Sequence, residues 1–193
     1  MRKAIIGVIL MGIIAAGCAE ETVIAGIVRS PLPDVGAVTL PDIASGTPLT
    51  MKAEPGGLLL VYFGYTSCPD VCPTTLAEIR SALADMGDDA ERVQVAMATV
   101  DPIRDTDEVM IGYLHSFIPD GHPLRTEDDG ELLLAANALG AAYSVVENDE
   151  GEIEVAHTGH LYAIDDQGLL QITWPFGIQS DDIRSDIRIL LNG

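Results

Sequence analysis

Basic side chains are scarce in this chain. Ten Lys and Arg stand against 30 Asp and Glu, and the formal net charge is −20. Such a surface repels phosphate backbones and anionic lipid headgroups, which argues against nucleic acid as a partner. Its simplest reading is a solvated, self-repelling surface; a face that steers a cation or a basic partner is the sharper one. Cysteine is scarce too, with three in 193 residues, at positions 18, 68 and 72. There is no internal repeat and no low-complexity segment, so nothing points to a solenoid or a disordered chain. At 48% hydrophobic residues the chain can bury a real core. Its length suits one domain plus a terminal appendage.

Long apolar runs are limited to one. Arg2 and Lys3 precede an apolar stretch over residues 4–16. An ordinary spanning helix needs about 20 such residues, so this run is short for that role. It ends in Ile14-Ala15-Ala16-Gly17-Cys18 and resembles a bacterial lipoprotein signal, cut before Cys18 and lipidated on its thiol. Ala15 stands where Leu is usual. An uncleaved anchor, or secretion with Cys18 left free, are the alternatives. The expected organisation is a signal peptide over 1–17, a tether over 18–34 and one domain over 35–193. The domain is expected on the periplasmic face of a bacterial membrane, where paired thiols oxidise unless they are reduced or metallated.

Residues 35–51 read as a hairpin turned at Ser45-Gly46. Residues 58–63 (Leu-Leu-Leu-Val-Tyr-Phe) form a continuous apolar run, the pattern of a central strand buried on both faces. A helix is predicted over 74–86, with Pro73 in its first turn and Gly87 as its stop. Residues 93–100 read as a second buried strand. Helices are predicted over 105–117, with Thr106 as a cap, and over 130–142, with residues 119–129 between them as loop. Two late hairpins follow, over 143–155 and 161–173, and then a helix over 181–191. Strands alternating with helices argue for a mixed sheet covered by helices. A thiol pair at the exit of the first central strand, leading into a helix, is the layout of a thioredoxin-like domain.

The chemistry centres on Cys68-Pro-Asp-Val-Cys72. A disulfide closing so small a loop restricts little chain entropy. A redox dithiol is the stronger competitor, although the usual spacing has two residues between the thiols. Three intervening residues widen the bite and let both sulfurs face one ion. Amides opening the following helix carry partial positive charge towards Cys72, an arrangement expected to lower its pKa. Tyr62, Phe63 and Tyr65 are expected to give apolar surroundings. Two thiolates are soft ligands that suit Cu(I) or Zn(II). A third ligand must come from elsewhere. His115 lies in a predicted helix and His122 in a predicted loop. His157 and His160 lie in Ala156-His-Thr-Gly-His160, at the entrance to a strand. In a regular strand, residues three apart face opposite sides, so the two do not bind one ion together. Position alone favours His157 only slightly.

Phe63-Gly-Tyr-Thr-Ser-Cys-Pro-Asp-Val-Cys-Pro-Thr-Thr-Leu76 resembles the signature of the SCO/SenC/PrrC proteins, copper-handling factors for cytochrome c oxidase. Val100-Asp-Pro-Ile-Arg-Asp-Thr106 resembles their second motif. Ala156-His157-Thr158, with Tyr162, Ile164 and Gly168, aligns with the third. The resemblance covers roughly residues 35–192. It implies an α/β, thioredoxin-like fold, a mixed central sheet flanked by helices, with an extra N-terminal hairpin and a late hairpin insertion. It implies Cys68, Cys72 and His157 as ligands of one copper ion, Cu(I) or Cu(II), and so selects His157 over His160. Two positions depart from the family pattern: Ala156 replaces an Asp before the histidine, and Asp107 stands where Pro is frequent. Asp101, Arg104 and Asp105 are read as supports of the site loop, with a plain buried ion pair as the alternative.

The function implied is a membrane-anchored copper metallochaperone, held by its N-terminal lipid. Its partners would be a copper donor and the CuA site of oxidase subunit II. The alternative is a thiol–disulfide reductase using Cys68 and Cys72 to keep partner cysteines reduced.

Overall fold

The computed structural model describes residues 23–192. The expected signal peptide and Cys18 lie outside the described residues. The architecture grows from β3 (Leu58–Gly64), whose seven residues are all buried. Its continuous apolar run is explained by its place: β4 (Val93–Thr99) pairs with it in parallel on one side, and β8 (Leu161–Asp165) antiparallel on the other. β5 (His122–Leu124) follows β4 in parallel, and β9 (Leu170–Trp174) pairs antiparallel with β8. The hairpin of β1 (Thr39–Asp42) and β2 (Thr47–Thr50) completes a seven-stranded sheet ordered β2-β1-β5-β4-β3-β8-β9. A separate hairpin, β6 (Tyr143–Glu147) and β7 (Ile153–His157), stands outside this sheet.

The helices are α1 (Val71–Ala84), α2 (Asp107–Phe117), α3 (Asp129–Leu139) and α4 (Ser180–Asn192). Side chains alternate along β3, so the sheet has two cores. Leu60, Tyr62 and Met97 pack with Cys72 and Ile79 of α1 and Ile183 of α4. Val61, Phe63 and Tyr162 pack on the other face with Leu132, Ala136 and Leu139 of α3. The result is a thioredoxin-like mixed sheet covered on both faces. Among the described residues no helix is long and apolar enough to cross a membrane.

Four local expectations are revised. The segment read as loop over 119–129 contains β5, a three-residue strand held by its pairing to β4. α1 starts at Val71, so Cys72 sits in its first turn rather than ahead of it. α3 stops at Leu139 because Gly140 takes a left-handed conformation, φ 78°, which closes the helix end. Residues 24–34, read as part of a tether, lie against the domain. Ile27 bridges Thr173 and Asp34 bridges Leu169. Asp186, fully buried on α4, accepts the N–H groups of Ala25 (3.0 Å) and Gly26 (2.9 Å) and the indole N–H of Trp174 (2.8 Å).

Candidate metal centre

β3 ends at Gly64, and the chain turns through residues 65–70 into α1. That corner carries both thiols. Cys72 is fully buried at the helix start, while Cys68, 8% exposed, lies nearer the surface. The thiols are not joined in a disulfide. The backbone N–H of Cys72 points at the Cys68 sulfur, 3.3 Å away. Gly64 is required by close approach: a Cβ there would meet the Cys72 sulfur at 3.0 Å and the Tyr62 ring at 2.7 Å.

The third group arrives on the separate hairpin. His157 ends β7 opposite Tyr143 of β6. Just beyond it, the Thr158 N–H donates to the Ala142 carbonyl (2.8 Å), and the Thr158 hydroxyl accepts the Ala142 N–H (3.0 Å). This closure fixes the hairpin base and aims the imidazole back at the thiols. His157 Nε2 lies 3.6 Å from Cys72 Sγ, and the ligand atoms of Cys68, Cys72 and His157 all fall within 4.8 Å of one another. Metal–sulfur and metal–nitrogen bonds of about 2.3 and 2.0 Å at a tetrahedral angle put S and N roughly 3.5 Å apart. The geometry therefore fits one ion.

The surroundings act differently on the three ligands. Burial opposes ionisation of Cys68, but the N–H groups of residues 70–72 and the neighbouring thiol outweigh it and hold its pKa below the ordinary thiol value. Burial pushes Cys72 up to about 12. This reverses the expectation for Cys72: the amides at the helix start serve Cys68, one turn earlier, and Cys72 lies too deep to benefit. Burial lowers the His157 pKa, so its ring is neutral at neutral pH. Its Nδ1 faces the Thr158 carbonyl at 3.2 Å. With the ring proton held there, the Nε2 lone pair is directed at the sulfurs.

Tyr62 and Tyr65 stand edge-on to the imidazole, with centroids at 6.0 and 5.8 Å. Phe63 does not reach the site, because its side chain enters the opposite core beside Tyr162. Strand alternation in the sequence already separates it from Tyr62. The Asp101–Arg104 ion pair sets the Arg104 guanidinium over the Tyr65 ring, 6.0 Å from its centroid. Asp105 is fully buried. It accepts from the Thr66 N–H (3.0 Å), the Thr66 hydroxyl (2.5 Å) and the Thr99 hydroxyl (2.6 Å). It thereby ties the loop before Cys68 to the end of β4. Thr66 lies inside the first family-like stretch and Thr99 one residue before the second, and their role emerges only from the buried carboxylate they share.

The other histidines are elsewhere. His115 Nε2 lies 3.0 Å from the Gly121 carbonyl, and His122 Nδ1 lies 2.9 Å from the Asp42 carboxylate. His160 lies against Tyr162 on the far side of the sheet from the thiols.

A thioredoxin-like domain with a dithiol–imidazole cluster at its first strand–helix corner defines the class. The chain matches the SCO1/SenC family over residues 39–192, and it belongs to that family. It is 32% identical over 125 residues to a Stutzerimonas stutzeri protein named for copper binding, covering 64% of this chain and 61% of that one. It is 34% identical over 115 residues to a SCO2-like protein of Rickettsia prowazekii, covering 58% of this chain and 56% of that one. The matches thus span about three fifths of these curated relatives. Among solved structures, the copper-bound ScoI of Bradyrhizobium japonicum is similar at 33% identity and a TM-score of 0.68, covering 79% of this chain and 96% of that chain. Apo Sco1 of Thermus thermophilus is similar at 28% identity and a TM-score of 0.73, covering 86% and 95%.

Proposed function

We propose that this protein carries copper as cargo, bound by the Cys68 and Cys72 thiolates and the His157 imidazole. The observation that carries this reading is the convergence of those three ligand atoms within 4.8 Å. Two thiolates and one neutral imidazole favour a soft ion, and the copper-bound Bradyrhizobium relative favours copper over zinc. Three protein ligands leave a fourth coordination position open. A partner's ligand can enter there and displace the others stepwise, which suits transfer better than permanent storage.

In this reading the domain is tethered by lipid on Cys18 to the periplasmic face of a bacterial membrane. Support for that comes from the charged and apolar pattern of residues 2–18. The receiver is the CuA site of cytochrome c oxidase subunit II, served after loading by a separate copper donor. The family resemblance supports those partners.

A thiol–disulfide reductase is the second reading. It is favoured by the contrast between Cys68, with a lowered pKa near the surface, and the deep, raised Cys72. That is the pattern of an attacking and a resolving thiol. The test is to add one equivalent of copper to the reduced protein. The carrier reading predicts a stable thiolate-to-Cu(II) absorption band at one ion per chain. No band, together with rapid turnover of a disulfide substrate, would establish the reductase.

A further inference from the structure

Tyr62 is fully buried, and its hydroxyl has no hydrogen-bond partner among the described residues. A buried phenol in that state is costly unless a bond is made in some functional state. Its surroundings identify the acceptor. The ring stands edge-on to His157. Its Cε1 atom and the Cys72 sulfur crowd the same methyl-sized space above Gly64, at 2.7 and 3.0 Å from the position of a Cβ there. The Thr75 hydroxyl donates to the Val71 carbonyl at 2.9 Å and so offers the phenol no proton. A phenolic hydroxyl is protonated at neutral pH and can donate. The Cys68 sulfur accepts the Cys72 N–H at 3.3 Å, whereas the Cys72 sulfur lies in the buried space above Gly64 that the Tyr62 ring shares.

We propose that Tyr62 donates its hydroxyl proton in a hydrogen bond to the Cys72 thiolate when a soft ion is bound, and that this bond biases the site towards Cu(I). A hydrogen bond draws charge from the sulfur. The sulfur then donates less to Cu(II), which depends on thiolate donation more than Cu(I) does. Tyr62 is a positioning and tuning residue, and its copper preference rests on the carrier reading above.

The test is Tyr62→Phe, which removes one oxygen and preserves the packing. The variant should still bind one copper ion. Its thiolate-to-Cu(II) band should move to lower energy, and its Cu(I) affinity relative to Cu(II) should fall about tenfold. Tyr162→Phe is the control, since that hydroxyl is also buried and unpartnered but lies on the opposite face of the sheet. An unchanged band and ratio in Tyr62→Phe, or equal changes in Tyr162→Phe, overturns the proposal. A second readout separates it from the carrier reading. One equivalent of Zn(II), a diamagnetic probe, should bring up a slowly exchanging hydroxyl proton resonance that Tyr62→Phe lacks. Absence of that resonance overturns the proposal even if copper binds. Its presence in a protein that takes up no copper overturns the carrier reading alone.

Discussion

The Nε2 atom of His157 lies 3.6 Å from the sulfur of Cys72, a residue 85 positions earlier in the chain. A hairpin outside the main sheet closes that distance. The thiols are fixed by the central strand and α1, whereas the imidazole depends on β6, β7 and the Thr158–Ala142 bonds. The site is therefore assembled by the finished tertiary structure.

Asp105 is the support on which the thiol loop most depends. Asp105→Ala leaves the Thr66 N–H and two hydroxyls without their acceptor. The expected loss is about 3 kcal/mol of unfolding free energy, read by urea titration. Copper affinity should fall about tenfold or more, because the loop before Cys68 loses its anchor.

Asp186→Ala tests the docking of residues 24–34. The change removes three acceptor contacts from one buried carboxylate and should cost about 2–3 kcal/mol. Trp174 is the one tryptophan in the chain, so its fluorescence reports the change directly. A red shift is expected, with faster amide exchange at Ile27 and unchanged copper affinity.

These two positions mark the limit of what the sequence discloses. The thiol pair, the strand before it and the Thr106 cap are all encoded in local spacing, and Thr106 does accept the Val109 N–H. β5 has only three residues, one of them Pro123, and its strand character comes from β4 beside it. The docking of residues 24–34 has no periodic signal because it rests on a few isolated bonds, to Asp186, Thr173 and Leu170. The depth of Cys72, which reverses the expected direction of its pKa shift, and the shallower place of Cys68 emerge only when α1 packs on the sheet.

Ala156→Asp introduces the residue the family pattern carries before its histidine. Neighbours in a strand face opposite sides, and Ala156 pairs with Ser144 on the side away from His157. His157 Nδ1 already faces the Thr158 carbonyl. Copper affinity is expected to change less than about threefold, the scale of a surface substitution, as measured by competitive Cu(I) titration.

The acid limb of stability has a named contributor. Burial alone would raise the Asp42 pKa, but the His122 imidazole, Ser45 and the N–H groups of Ala44 and Ser45 outweigh it and bring it below 3.8. A carboxylate with a depressed folded-state pKa contributes its stability in full above the unfolded-state value. That contribution is lost as pH falls from about 4 through the folded-state value. Asp42→Asn should be less stable than wild type at pH 6, and the difference should shrink steadily below pH 4. Urea midpoints across that range provide the check.

The central claim is a three-ligand site, and His157→Ala addresses it most directly. The reduced variant and wild type are titrated with Cu(I) against a competing chelator and then examined with Cu(II). A three-ligand site predicts Cu(I) binding weakened by more than about tenfold and an altered thiolate-to-Cu(II) spectrum. Unchanged affinity with an unchanged spectrum would contradict the account.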